Sequence, residues 1–183
     1  MGLELLRDGI TGQKISDLER EMQEECDSEE AVLEYIAKSK VGIERQQPLL
    51  MTFLKVEGTR YGVLDHPLFS FASILTFRLL PEELRLEKLK RQVFSVVRRD
   101  IREHTHSRRG KLTIDLSWLG DKLNDVCPAY ISWLRAIVED FEDQEKKTAF
   151  TLGSYFTIMP FFSREEAKDL EQRFPETQNC IIT

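Results

Sequence analysis

Pro67-Leu68-Phe69-Ser70-Phe71-Ala72-Ser73-Ile74-Leu75-Thr76-Phe77-Arg78-Leu79-Leu80 is the stretch that decides the fold. Leu68, Phe69, Phe71, Ala72, Ile74, Leu75, Phe77 and Leu79 occupy every side of a helical repeat, not one stripe of it. A helix apolar all round cannot lie on a surface, because part of its apolar area would face water. It must be central, with other helices packed around it. Asp65-His66-Pro67 supplies its start, a capping position followed by a proline whose fixed φ suits a first turn. The run is interrupted by Arg78 and is too short to cross a bilayer, which takes about 20 apolar residues. It reads as a core helix over 68–80.

Toward the N-terminus, Ser16-Asp17-Leu18-Glu19 has the form of a capping box, with Ile15, Leu18 and Met22 on one side of the helix it would open. Asp27-Ser28-Glu29-Glu30 starts a second helix, with acids where the helix dipole favours them. Val32, Ile36 and Ile43 share its face, so it runs to about Gln46. Pro48 opens a short third element. The residues after it, 51–64, read as helix then loop, or as a small hairpin turning through Glu57-Gly58-Thr59-Arg60.

Toward the C-terminus, Pro81 opens the longest helix, ending near Glu103 or His104. Leu86, Leu89, Val93, Val96 and Val97 form its apolar stripe, and Lys88, Arg91, Arg98, Arg99 and Arg102 fall opposite. His104 to Lys111 reads as a basic loop containing Arg108, Arg109 and Gly110, followed by a short extended piece, 112–115. Asp115 can cap a helix carrying Trp118, Leu119, Leu123 and Val126. Pro128 breaks the chain before an amphipathic helix with Ile131, Leu134, Ile137, Val138 and Phe141. Residues 148–159, rich in aromatic and β-branched side chains around Gly153-Ser154, suit a hairpin or a helix leading to Pro160. Ser163-Arg164-Glu165-Glu166 is a second capping box, opening a last helix to about Arg173, with a loose tail from about 175. The sum is a mainly α, compact bundle of six to eight helices.

The length, 183 residues, fits a single domain, 1–183, large enough to fold without metal or disulfide. Nine Gly and six Pro among 32 % charged residues favour helix. Cys26, Cys127 and Cys180 are far apart and show no ligand spacing, which points to a reducing, cytoplasmic setting. Charges inside the first eight residues argue against a signal peptide. Cys180-Ile181-Ile182-Thr183 has the outline of a prenylation box, but Thr is outside the usual last residues and no bases precede it. Prenyl anchoring at Cys180 is therefore not expected.

Charge is distributed in blocks. Residues 85–111 hold ten bases against three acids, and residues 14–34 hold nine acids against two bases. The net charge of -6 disfavours a whole-surface nucleic-acid binder, but Lys88, Arg91, Arg98, Arg99, Arg102, Arg108 and Arg109 could form a local face for phosphate or a partner. Alternatively the two blocks neutralise one another, within one chain or between two. His104 and His106 beside Glu103 invite a metal, yet Arg102, Arg108 and Arg109 would repel a cation; helix-end histidines are the better reading. No nucleophile elbow, P-loop, dinucleotide fingerprint or zinc-protease motif occurs. The sequence thus points to a non-enzymatic interaction domain without cofactor, binding a protein partner or its own copy, with nucleic acid or a phosphate ligand as the alternative.

Overall fold

The computed structural model describes residues 2–86, 101–102, 105–108, 111–114, 127–158 and 160. The elements are α1 (Gly2–Gly9), α2 (Gly12–Glu25), α3 (Glu29–Gln46), α4 (Pro48–Arg60), α5 (Pro67–Leu79), α6 (Glu82–Leu86), β1 (Thr105–Arg108), β2 (Lys111–Ile114), α7 (Pro128–Glu139) and α8 (Gln144–Ile158). The fold is mainly α, as composition and periodicity required, with one two-stranded antiparallel sheet among the described residues.

Helix α5 is central. Phe69, Ala72, Ile74, Leu75, Phe77 and Leu79 are buried, as are its hydroxyl residues Ser70, Ser73 and Thr76. His66 begins it: the imidazole Nδ1 accepts from Leu68 N–H at 3.2 Å, and Pro67 fills the first turn. The acidic-start helix also forms as the sequence reads, with Ser28 Oγ accepting from Ala31 N–H at 3.1 Å and the helix ending at Gln46.

Two readings need correction, and two stretches left open between helix and hairpin are helix. The Ser16 capping box does not form. Helix α2 starts a turn earlier, where Thr11 Oγ1 accepts from Lys14 N–H, and Ser16 Oγ donates back to Gly12 O at 3.0 Å inside the helix. Over 51–64 the helix-then-loop reading holds and the hairpin alternative does not: α4 continues to Arg60, and the chain reverses after it through Tyr61 and Gly62, the latter at φ 68°. Both Val63 N–H and Leu64 N–H donate to Gly58 O, tying that turn to the end of α4.

The second open stretch takes its helical alternative. Residues 148–158 are helix, and every residue from Thr148 to Ile158 is buried. From Thr148 onward helix α8 is buried on every side, packed against α5 along small side chains. Ser73 Oγ donates to Phe69 O at 2.8 Å and to Gly153 O at 3.2 Å, and Thr157 Oγ1 donates to Gly153 O at 2.7 Å. Of the hydroxyl residues that suggest a strand, Thr157 is satisfied by a carbonyl of its own helix and Thr148 by Leu112 O of β2. A hairpin forms elsewhere: β1 pairs with β2 from Thr105 opposite Ile114 to Arg108 opposite Lys111, with β1 in the stretch read from sequence as a basic loop and β2 largely in the short extended piece read at 112–115.

The acidic segment holds α2 onto the bundle. Both Glu21 carboxylate oxygens accept from Arg78 of α5 at 2.8 Å, and Glu19 accepts from Trp133 Nε1 of α7 at 3.1 Å. Lys14 Nζ donates to Leu80 O, and burial together with nearby Arg85 lowers its pKa. Among the described residues no ion pair joins segment 14–34 to segment 85–111. The long helix read from 81 to about 103 is described only over Glu82–Leu86 and Ile101–Arg102; the helices read near 115–126 and after 163, and the tail, lie outside the described residues.

Candidate functional site

Of the seven basic residues singled out by sequence, Lys88, Arg91, Arg98, Arg99 and Arg109 lie outside the described residues. Arg108 is the last residue of β1, opposite Lys111. Arg102 is described and exposed, and it lines the largest of the described cavities, a cleft of about 870 Å³.

The cleft forms where four parts of the fold meet: the end of α4, the connector into α5, the hairpin, and the first turns of α8. Arg60 stands at the last residue of α4, so the short turn after it places its guanidinium and the Tyr61 ring on the cleft wall. That ring rests on Phe156 of α8, with centroids 5.9 Å apart, and Phe156 in turn meets Phe53 and Phe69. This aromatic stack sets the cleft on the core. On the far wall, Thr148 Oγ1 of α8 donates to Leu112 O at 2.7 Å and fastens β2 to α8. Thr105 of β1 and Arg102 complete that side.

The electrostatics are bipolar. Arg60 and Arg102 contribute two positive charges, while Asp65 and Glu145 lie on the same lining. Arg60 Nη1 is 3.5 Å from Glu57 Oε2, whose residue is fully buried, so the Arg60 guanidinium is anchored at its inner side. Two residues of the lining, Tyr61 and Thr105, carry hydroxyls that are buried without a hydrogen-bond partner among the described residues. Burial pushes the Tyr61 phenol up, Glu57 adds to the rise, and Arg102 and Arg60 oppose it. Tyr61 is consequently a proton donor at neutral pH. His66 has committed Nδ1 to the cap of α5, leaving Nε2 as the nitrogen that carries the proton in the neutral ring.

These groups can grip an anion: two guanidiniums able to make paired bonds to phosphate or carboxylate oxygens, and two hydroxyl donors. They form no nucleophile–base pair. Sequence reading selected Arg102 and assigned His66 its capping role, and it missed Arg60, Tyr61 and Thr105. No local signal marks those three, because they belong to one site only after α8 has packed under the α4 turn. His106 is exposed on β1, His104 lies outside the described residues, and no group of three or more His, Cys, Asp or Glu suited to a metal occurs among the described residues. Cys180 is likewise outside them, and no described helix is long and apolar enough to cross a membrane.

No protein family, curated protein or solved structure matches the chain.

Proposed function

We propose that this chain is a non-catalytic binding domain whose cleft takes a phosphate- or carboxylate-bearing ligand between Arg60 and Arg102. The observation that carries the reading is the convergence of both guanidiniums with the unpartnered Tyr61 and Thr105 hydroxyls on one cleft. Buried hydroxyls without partners are costly, and a ligand oxygen accepting from them would remove that cost. Calorimetric titration with pyrophosphate and with ATP, at low and at physiological salt, tests it. Saturable binding should weaken as salt rises, and Arg102→Ala should weaken it about tenfold or more, the usual loss for a charged hydrogen bond. Absence of saturable binding by either anion would end the proposal. Single-stranded RNA and duplex DNA belong in the same series. Affinity that grows with strand length would move the site from a small ligand to nucleic acid.

A protein partner, or a second copy of the chain, is the other reading, and α3 favours it. Leu33 and Val41 are 53 % and 50 % exposed. They sit eight residues apart with exposed Ala37 between, so the three share one helix face beside the exposed acids Glu30 and Glu34, the latter paired with Lys38. If this face self-associates, sedimentation should show a concentration-dependent dimer, and Leu33→Asp should weaken it at least tenfold, one desolvated charge in an apolar contact being sufficient. A chain that stays monomeric at every concentration removes the self-association reading.

A further inference from the structure

A second cavity, of about 290 Å³, lies between α3, α4 and α5 and shares only Asp65 with the cleft. Its wall is built from buried apolar side chains: Ile43 of α3, Met51 and Leu54 of α4, Phe69 and Ile74 of α5. Ser70 and Ser73 also line it, the Ser73 hydroxyl already committed to Phe69 O and Gly153 O. A polar ligand would find little there to replace its water, whereas an aliphatic one would lose nothing. Lys40 and Lys55, from α3 and α4, complete the lining together with Leu64 and Asp65.

The two lysines are available. Lys40 makes no ion pair among the described residues. Lys55 stands 3.7 Å from Glu44, with both side chains more than half exposed, a pairing too solvated to hold the ammonium against a competing carboxylate. Asp65 is the one acid on the lining and works against an anion there. At about 30 Å³ for each water- or methylene-sized group, the cavity accommodates a chain of about eight to ten carbons.

We infer that this pocket binds a medium-chain aliphatic carboxylate, its chain among Ile43, Leu54, Phe69 and Ile74 and its head at Lys40 and Lys55. The site is separate from the anion cleft and does not depend on it. Calorimetry with hexanoate, octanoate and decanoate, each below its micelle concentration, tests the assignment. Affinity should rise about fourfold per methylene up to decanoate. The double variant Lys40→Ala/Lys55→Ala, at exposed or half-exposed positions that should leave the fold intact, should weaken decanoate about tenfold and leave decanol unchanged. Asp65→Asn should tighten decanoate, and Arg102→Ala should not affect it. A chain-length-independent affinity, no binding of decanoate, or equal loss of decanoate and decanol in the lysine variant would each overturn the proposal. So would decanoate that binds only by dissociating a dimer, which would assign the pocket to a second copy.

Discussion

Gly153→Ala should destabilise the protein by about 2 kcal/mol and lower its Tm by roughly 4–8 °C, although alanine is the better helix former. In an ordinary helix interior the same change gains up to about 1 kcal/mol. Here a Cβ on Gly153 would stand 2.3 Å from Phe69 O and 3.1 Å from Ala72 Cβ. Both neighbours are fixed parts of α5, backbone and a methyl on it, so neither can turn aside. The helices would have to part, and the bond from Ser73 Oγ to Gly153 O would go with them. Gly42 of α3 is the matching control, because a Cβ there meets nothing within 4 Å. Gly42→Ala should stabilise by about 0.5–1 kcal/mol. Opposite signs at two helical glycines, read by thermal and chemical denaturation, would establish the close α5–α8 approach. A neutral or stabilising Gly153→Ala would show that the two helices do not meet as described.

That approach also explains what could and could not be read from sequence. The all-round apolar pattern of 68–80 has only one structural solution, so α5 was legible without any partner. Ser28 and Pro48 were legible too, since caps and first-turn prolines act within a few residues. The stretch 148–158 was legible only as hairpin or helix. Thr148, Thr151, Ser154, Tyr155 and Thr157 favour strand when judged alone, and Gly153-Ser154 resembles a turn. What makes them helix is α5, against which small and hydroxyl residues give the closest packing. Tertiary contact overrode local propensity, and the same contact required the glycine. Gly58, read as a turn residue, is another close-approach glycine, its missing Cβ leaving space for Phe69 and Leu64.

The site was less legible than the fold for a related reason. A block of bases is visible in one dimension, and Arg102 belonged to it. Arg60 stood alone in a segment read as loop, forty-two positions away in the chain, and only the turn at Gly62 and the packing of Phe156 under Tyr61 bring it to the same cleft. The acidic block was also visible, but its use was not. Glu21 serves Arg78, a residue noted from sequence only as an interruption of an apolar run. Breaks in a strong pattern are where partners from elsewhere in the chain attach.

The second large effect lies at alkaline pH and comes from groups buried neutral. Cys127, at the start of α7, is 1 % exposed, and burial pushes its thiol from 9.0 up to about 12, with Arg7 pulling partly back. Burial likewise raises the phenol of Tyr130, fully enclosed against the hydroxyls of Thr76 and Ser154, none of which reaches a well-formed hydrogen bond. Thiol and phenol are neutral when protonated, so the folded state holds both protons more tightly than the unfolded chain. Their contribution is complete below pH 9.0, where both states are protonated, and is lost for Cys127 as pH rises toward about 12. Each such proton steepens the fall of stability by about 1.4 kcal/mol per pH unit, and Cys127 alone accounts for about 4 kcal/mol across its full range. Urea denaturation from pH 7.5 upward should therefore show a plateau and then a steep decline. Cys127→Ala should remove one proton's worth of slope above pH 9, at the cost of a small cavity visible at every pH. Tyr130→Phe should flatten the profile above pH 10 and change stability at neutral pH little, because the hydroxyl it removes is poorly bonded. Identical slopes in the wild type and in the Cys127→Ala/Tyr130→Phe double variant would mean that neither group is sealed in the core. The junction of α5, α7 and α8 would then have to be open to water, and the loss predicted for Gly153→Ala should shrink with it, since a loosely packed interface can absorb a methyl group.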